Sequence, residues 1–260
     1  MLYEISNETL SLIVSTKACE MHSLKRKDDY YEYLWNGDER YWKGRNPILF
    51  PQVSSTSNKI NTINGKEYPM GNHGFARNSE FELVEQNNNS LTFLLKENEE
   101  TLKQYPYHFN LFVNYTLKEN SVVISYEIKN TDVNELPFGF GLHPAFNVSD
   151  DFKDSTIVFD DETKLELSNE LFKEYPTYFV KPTPKKALLT SNNHQISLEF
   201  KKFKYLAIWS PFAPFVCIEP WLILDCKDGI DFTQREDTII LKPNESYKID
   251  YKINVLGKIK

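Results

Sequence analysis

The chain has 260 residues, 40% hydrophobic and 26% charged, with a net charge of -7. That composition suits an ordinary globular protein with a sizeable core and excludes a disordered chain. Lysines are scattered among acids rather than gathered on one face, so neither nucleic acid nor an anionic membrane surface is expected as the main partner.

The opening stretch, MLYEISNETLSLIVSTKACE, has no basic n-region and no long apolar h-region, and the run Leu10 to Val14 is too short to span a bilayer. A cytoplasmic protein is the expectation. Three cysteines (Cys19, Cys217 and Cys226), an odd number without a CxxC pair, read as reduced thiols and not as a disulfide framework.

In chain order, the first clear turn is Asn64-Gly65, a type I′ hairpin signal between NTI and KEY. Gln86 to Asn89 divides FELVE from SLTFLL, and the best helical stretch, Glu97 to Gln104, is short and polar. LFVNYTL (111–117) sets Leu111, Val113, Tyr115 and Leu117 on one face. Lys118-Glu119-Asn120 separates it from SVVISYEIK (121–129), where Val122, Ile124, Tyr126 and Ile128 alternate with more polar residues. QISLEF (195–200) and YKIDYKINV (247–255) alternate in the same way. Many strands, short turns and few helices predict an all-β fold, an antiparallel sandwich or barrel. With no repeat and no linker-like composition shift, residues 1–260 read as a single domain. The 18 Phe, 15 Tyr and 4 Trp residues can fill a thick inter-sheet core.

Four segments carry candidate chemistry. FVCIEPW (215–221) sets Glu219 among apolar residues beside Pro220 and Trp221, where a carboxylate is costly unless used. GLHPAF (141–146) holds His143 before a proline that restricts its backbone. HGFAR (73–77) supplies His73 and Arg77 next to Gly74. RNPILFP (45–51) places Arg45 ahead of a compact apolar run. One carboxylate and two imidazoles make a general acid/base set. The bland alternatives are a buried salt bridge from Glu219 to Arg45 or Arg77, a backbone-bonded core histidine at 143, and a solvated turn at 73–77. Cys217 is expected on the same strand face as Glu219, as packing. His22 and His194 are expected in exposed, polar surroundings, and His108 in a core or cleft wall. No histidine shows metal-ligand spacing, and GxSxG, P-loop and GxGxxG motifs are absent, so neither a metal nor a nucleotide cofactor is expected.

Taken in order, RNPILFP, NGKEYPMGNHGFAR, GLHPAFNV and FVCIEPW resemble the aldose 1-epimerase (galactose mutarotase-like) family, in its shorter bacterial, mutarotase-related branch. The resemblance implies a large antiparallel β-sandwich, a supersandwich, with a small-molecule sugar in an open cleft. It implies Glu219 as general base, His143 as general acid, His73 as a substrate-orienting group, and Arg45, Arg77 and Trp221 as substrate contacts, with no cofactor. The implied reaction is interconversion of the α and β anomers of a hexose by ring opening. A hexose-6-phosphate 1-epimerase, with Arg45, Arg77 and Lys43 holding the phosphate, and a non-catalytic sugar binder are the alternatives. The family's galactose enzymes carry a hydroxyl-binding aspartate between the second histidine and the glutamate. Here Asp151, Asp154, Asp160 and Asp161 fall in that interval, none within a matching motif.

Overall fold

The computed structural model describes residues 1–224 and 228–259. Cys226, expected as a reduced thiol, lies outside the described residues. Two sheets dominate. The larger has nine antiparallel strands in the order Lys164–Glu166, Thr156–Phe159, Lys186–Ser191, His194–Glu199, Ser246–Lys258, Ser121–Asn130, Phe109–Lys118, Ser90–Lys96 and Glu82–Gln86. Its centre follows from alternation. The register sets Ile124 between Tyr251 and Tyr115, and Tyr126 between Ile249 and Val113, so three strands present one apolar layer. All six of these side chains are buried. Each is worth ~1.5–3 kcal/mol of burial. A one-residue slip would turn the whole layer to solvent, which fixes the register.

The second sheet has six strands. Thr177–Phe179, Tyr205–Trp209, Phe215–Trp221, Gly141–Leu142 and Ile48–Leu49 lie side by side, and Ala145–Asn147 pairs with Phe215–Trp221 off that path. Phe215–Trp221 is buried along its whole length. It is covered on both faces, which explains why FVCIEPW reads as nearly continuous apolar sequence rather than as an alternation. A three-stranded sheet, Leu2–Ser6, Leu10–Ser15 and Met21–Arg26, packs into the same core.

The local signals behave as their chemistry dictates. Asn64 and Gly65 both have positive φ, 50° and 75°, as a type I′ turn requires, and join Ile60–Ile63 to Lys66–Pro69. The polar helical stretch contracts to Glu99–Leu102, started by an Asn98/Thr101 capping box. Three histidine expectations fail: His108 stands in no core or cleft wall but is exposed, with its Nδ1 2.8 Å from Glu97 Oε1, and two others are partly buried where exposure was expected. His194 is not solvated: its ring stacks on Tyr31 at 3.9 Å and its Nε2 lies 3.3 Å from Asp29. His22 is half-buried in Met21–Arg26, and burial together with the Arg45 charge lowers its pKa to about 4. In both cases tertiary packing overrides the polar sequence neighbourhood. No helix among the described residues is long and apolar enough to cross a membrane.

Candidate active site

Strand register brings two of the motifs together. Phe215–Trp221 pairs on one side with Tyr205–Trp209, setting Ala207 opposite Glu219 and Trp209 opposite Cys217. On its other side Gly141 stands opposite Trp221, and Ala145 opposite Cys217. His143, midway between those two partners, is therefore abreast of Glu219. Directly opposed side chains share a face of the sheet. Small residues make room for the large ones: a Cβ at Gly141 would lie 2.8 Å from the Trp221 ring.

The outcome is a buried acid/base pair. His143 Nε2 and Glu219 Oε2 are 3.3 Å apart, with His143 7% and Glu219 1% exposed. Burial pushes the Glu219 carboxyl well above its ordinary range. Burial, reinforced by His73 and Arg77, pushes His143 well below its own. At rest the pair thus favours one proton on the carboxyl and a neutral imidazole. The nearby Trp221 indole N–H and Arg77 guanidinium offset part of the carboxylate's penalty. Neither that indole N–H, nor Glu219 Oε2, nor His143 Nδ1 completes a hydrogen bond within the protein. Buried polar atoms left open in this way are costly in a finished core and suit a place where a ligand completes them.

HGFAR delivers its residues through a tight turn. His73 has φ +64° and Gly74 φ +71°; a Cβ at Gly74 would meet the Phe50 carbonyl oxygen at 2.2 Å. Only glycine fits there. The turn is pinned by the His73 N–H, which donates to the Ser54 carbonyl at 2.8 Å, while His73 Nδ1 accepts the Ser54 N–H at 2.9 Å. A backbone N–H can only donate, so Nδ1 is the acceptor and the ring proton sits on Nε2. Burial and Arg77 lower the His73 pKa to about 3, which keeps the ring neutral. Its centroid is 5.7 Å from that of His143. Arg77 follows on the short turn Ala76–Asn78. Burial lowers its pKa, against the opposing charges of Glu20 and Glu219.

These residues line one pocket of about 380 Å³ with Trp42, Ser54, Asn72, Thr177, Trp209 and Trp221. Such a volume accommodates a small ligand. Glu219, His143, His73, Arg77 and Trp221 are brought together; Arg45 is not. Its guanidinium turns to the carbonyls of His22 and Trp35, at 3.3 and 3.4 Å, and its backbone N–H bonds Glu20. The substrate contact expected of Arg45 therefore has no counterpart in the pocket lining. No ion pair joins Glu219 to either arginine, so the buried salt bridge also fails as an account of this carboxylate; its nearest titratable partner is His143.

Five lining residues do not stand out in the sequence: Ser54 and Asn72 beside the His73 turn, and Trp42, Trp209 and Thr177. Trp42 reaches the pocket from the polar loop WNGDERYWKG and stacks on His143 at 4.8 Å. The loop is held by the Trp35 indole N–H on the Trp42 carbonyl, 2.8 Å, and by Gly44, where a Cβ would press on the Trp42 ring at 2.5 Å. Two tryptophans in an otherwise polar, turn-rich segment were the available signal. Trp209 stands edge-on to both Trp42 and His143. Thr177 opens the edge strand Thr177–Phe179. Thr177 and Trp209, and none of Asp151, Asp154, Asp160 and Asp161, enter the pocket from the interval between His143 and Glu219.

A buried carboxyl–imidazole pair lies in an aromatic-walled pocket carried by antiparallel supersandwich sheets, and the chain's relatives make it a carbohydrate isomerase of the epimerase type. The sequence model of the aldose 1-epimerase family matches residues 1–184, and the chain belongs to that family. The plasmid-borne protein LacX of Lactococcus lactis subsp. lactis is 29% identical over 300 aligned positions, covering 99% of this chain and 100% of that protein. A galactose mutarotase related enzyme from Lactobacillus acidophilus superposes with a TM-score of 0.94 at 27% identity, over 100% of this chain and 99% of the other. A galactose mutarotase-like protein from Lactobacillus casei gives 0.92 at 27% identity, over 98% of this chain and all of its counterpart.

Proposed function

We propose that this protein interconverts the α and β anomers of an unphosphorylated hexose. The observation that carries the reading is the His143–Glu219 pair, 3.3 Å apart and buried at the pocket floor. Ring opening removes a proton from O1 and adds one to the ring oxygen. Glu219 takes the first and His143 gives the second. Rotation about C1–C2 then presents the other carbonyl face, and the two groups reverse roles. Each transfer contributes ~10²–10⁴-fold. The site as it rests, with carboxyl protonated and imidazole neutral, is in the protonation state required by the open-chain aldehyde. The cyclic sugar works with the other arrangement of the same proton, carboxylate and imidazolium, which its O1 hydroxyl and ring oxygen complete. His73 Nε2–H and Arg77 donate to sugar oxygens, and Trp42, Trp209 and Trp221 provide faces for its C–H surfaces.

Two observations favour a free sugar over a sugar phosphate. Arg77 is the one cationic residue among the described residues lining the pocket. Arg45, expected to share a phosphate with it, bonds backbone carbonyls elsewhere. A binder without catalysis would gain nothing from a carboxyl and an imidazole buried side by side at a desolvation cost. We place the activity in the cytoplasm, in line with the free Cys19 and Cys217 thiols. Polarimetry of freshly dissolved α-glucose and α-galactose, beside their 6-phosphates, tests the assignment. Acceleration greatest for a free sugar is expected; acceleration confined to the phosphates would overturn it.

A further inference from the structure

We propose that His143 and Glu219 in the pocket lining, with Cys217 buried behind them, also form a binding site for a thiophilic divalent cation, and that an ion held there excludes the sugar. One ligand atom from each of the three side chains lies within 4.8 Å of the other two. Zinc bonds of ~2.0–2.3 Å in a tetrahedron separate the donors by roughly 3.3–3.8 Å. The His143–Glu219 distance of 3.3 Å is already in that range, and the sulfur has about an ångström to close. The strand register explains why all three converge: Cys217 and Glu219 are two residues apart on one strand face, and His143 falls beside them across the neighbouring strand.

Burial alone would make Cys217 simple packing. Two further features point to a ligand. Glu219 Oε2 is buried without a hydrogen-bond partner, and its residue lines the pocket. His143 and Glu219 line the pocket and Cys217 lies buried behind them, so an ion held by all three would have its fourth position on the pocket side. Binding would release the Cys217 thiol proton and the Glu219 carboxyl proton to solvent, and one imidazole nitrogen, one thiolate sulfur and one carboxylate oxygen form a donor set matched to zinc and not to magnesium or calcium, which take oxygen alone. His143 Nδ1 has no acceptor to hold the ring in place, so the site suits a reversible inhibitory ion and not a resident cofactor. Inhibition follows because the ion would occupy the same carboxylate and imidazole atoms that move protons to and from the sugar.

The test is spectroscopic first, so that it stands whether or not the sugar assignment does. Cobalt(II) titrated into the intact protein is expected to give a thiolate-to-metal charge-transfer band saturating at one equivalent, displaced by zinc. The band should vanish in Cys217→Ala and Cys217→Ser and persist in Cys19→Ala and Cys226→Ala, with thermal unfolding confirming that each variant folds. Zinc affinity should fall on the order of tenfold or more in both Cys217 variants. In the wild type, zinc should inhibit anomer exchange competitively with sugar and chelation should restore it. A band that survives loss of Cys217, absence of any cobalt–thiolate band, or equal zinc affinity in wild type and Cys217→Ser would overturn the proposal. Cobalt binding as described without any anomer exchange would leave the metal site standing and count against the sugar assignment alone.

Discussion

Replacing Glu219 by glutamine should change how folding stability depends on pH, and the structure sets the size of the effect. In an unfolded chain the carboxyl sheds its proton near its ordinary value of 4.5 and the imidazole near 6.5. In the fold, burial moves the two in opposite directions, the carboxyl up and the imidazole down, so a single proton shared by the pair is the expectation wherever both shifts hold. Between 4.5 and 6.5 the unfolded chain also holds one proton, on the histidine, so the pair gives no slope. Above 6.5 the unfolded chain holds none while the fold still holds one. Stability then declines with rising pH by ~1.4 kcal/mol per unit until Glu219 ionises in the fold. In Glu219→Gln the folded site holds no proton. Its stability therefore rises with pH up to 6.5 and is level above. Both regimes have the same consequence: the variant gains on the wild type by ~1.4 kcal/mol for each pH unit over which the pair holds its proton, on both sides of 6.5. Urea unfolding of both proteins at several pH values measures this directly, and every other titrating group cancels in the difference. A gap that stays constant would mean that the pair takes up no proton on folding, with an ionised Glu219 beside a neutral His143, and would refute the reasoning.

Three further outcomes are expected. Gly74→Ala should cost about 2 kcal/mol or more in a chemical melt, because the new methyl meets the Phe50 carbonyl in a left-handed backbone; a loss under ~0.5 kcal/mol would show that the turn is not so constrained. His73 is neutral in the fold, with a pKa of about 3, but takes a proton when unfolded below 6.5. The stability it contributes is complete above 6.5 and is lost as pH falls toward 3, so His73→Asn, which keeps an acceptor for the Ser54 N–H, should flatten acid destabilisation by ~1.4 kcal/mol per unit in that range. Parallel acid melts of the two proteins would contradict the buried, neutral ring. Thr177→Val removes a pocket hydroxyl distant from proton transfer, so KM should rise by roughly 5-fold with kcat nearly unchanged, and a fall in kcat of the same size would place Thr177 in the chemistry.

Much of this architecture is legible in the chain because it rests on local rules. Alternation in 111–117, 121–129 and 247–255 sets the central layer, and Asn64-Gly65 sets its hairpin. Glu219, His143 and His73 stand out because each is a polar group among residues that would otherwise be core, with glycine or proline shaping the backbone. What the sequence hides is set by distant partners. Arg45 looks like a ligand contact until the fold supplies carbonyls for its guanidinium at His22 and Trp35. His194 looks solvated until Tyr31 and Asp29 arrive from a strand connection far back in the chain. Trp42 and Thr177 have no periodic signal, since a loop and a short edge strand bring them to the pocket. The approach of Cys217 to within 4.8 Å of His143 depends on the register of neighbouring strands, which no local pattern encodes.

The most direct test of the central claim is the decay of optical rotation of fresh α-glucose and α-galactose with wild-type protein, Glu219→Gln and His143→Asn, each checked for folding. The account predicts acceleration by the wild type and a loss of at least ~10²-fold in each variant, since each removes one end of the proton transfer. Full activity in folded Glu219→Gln would contradict it.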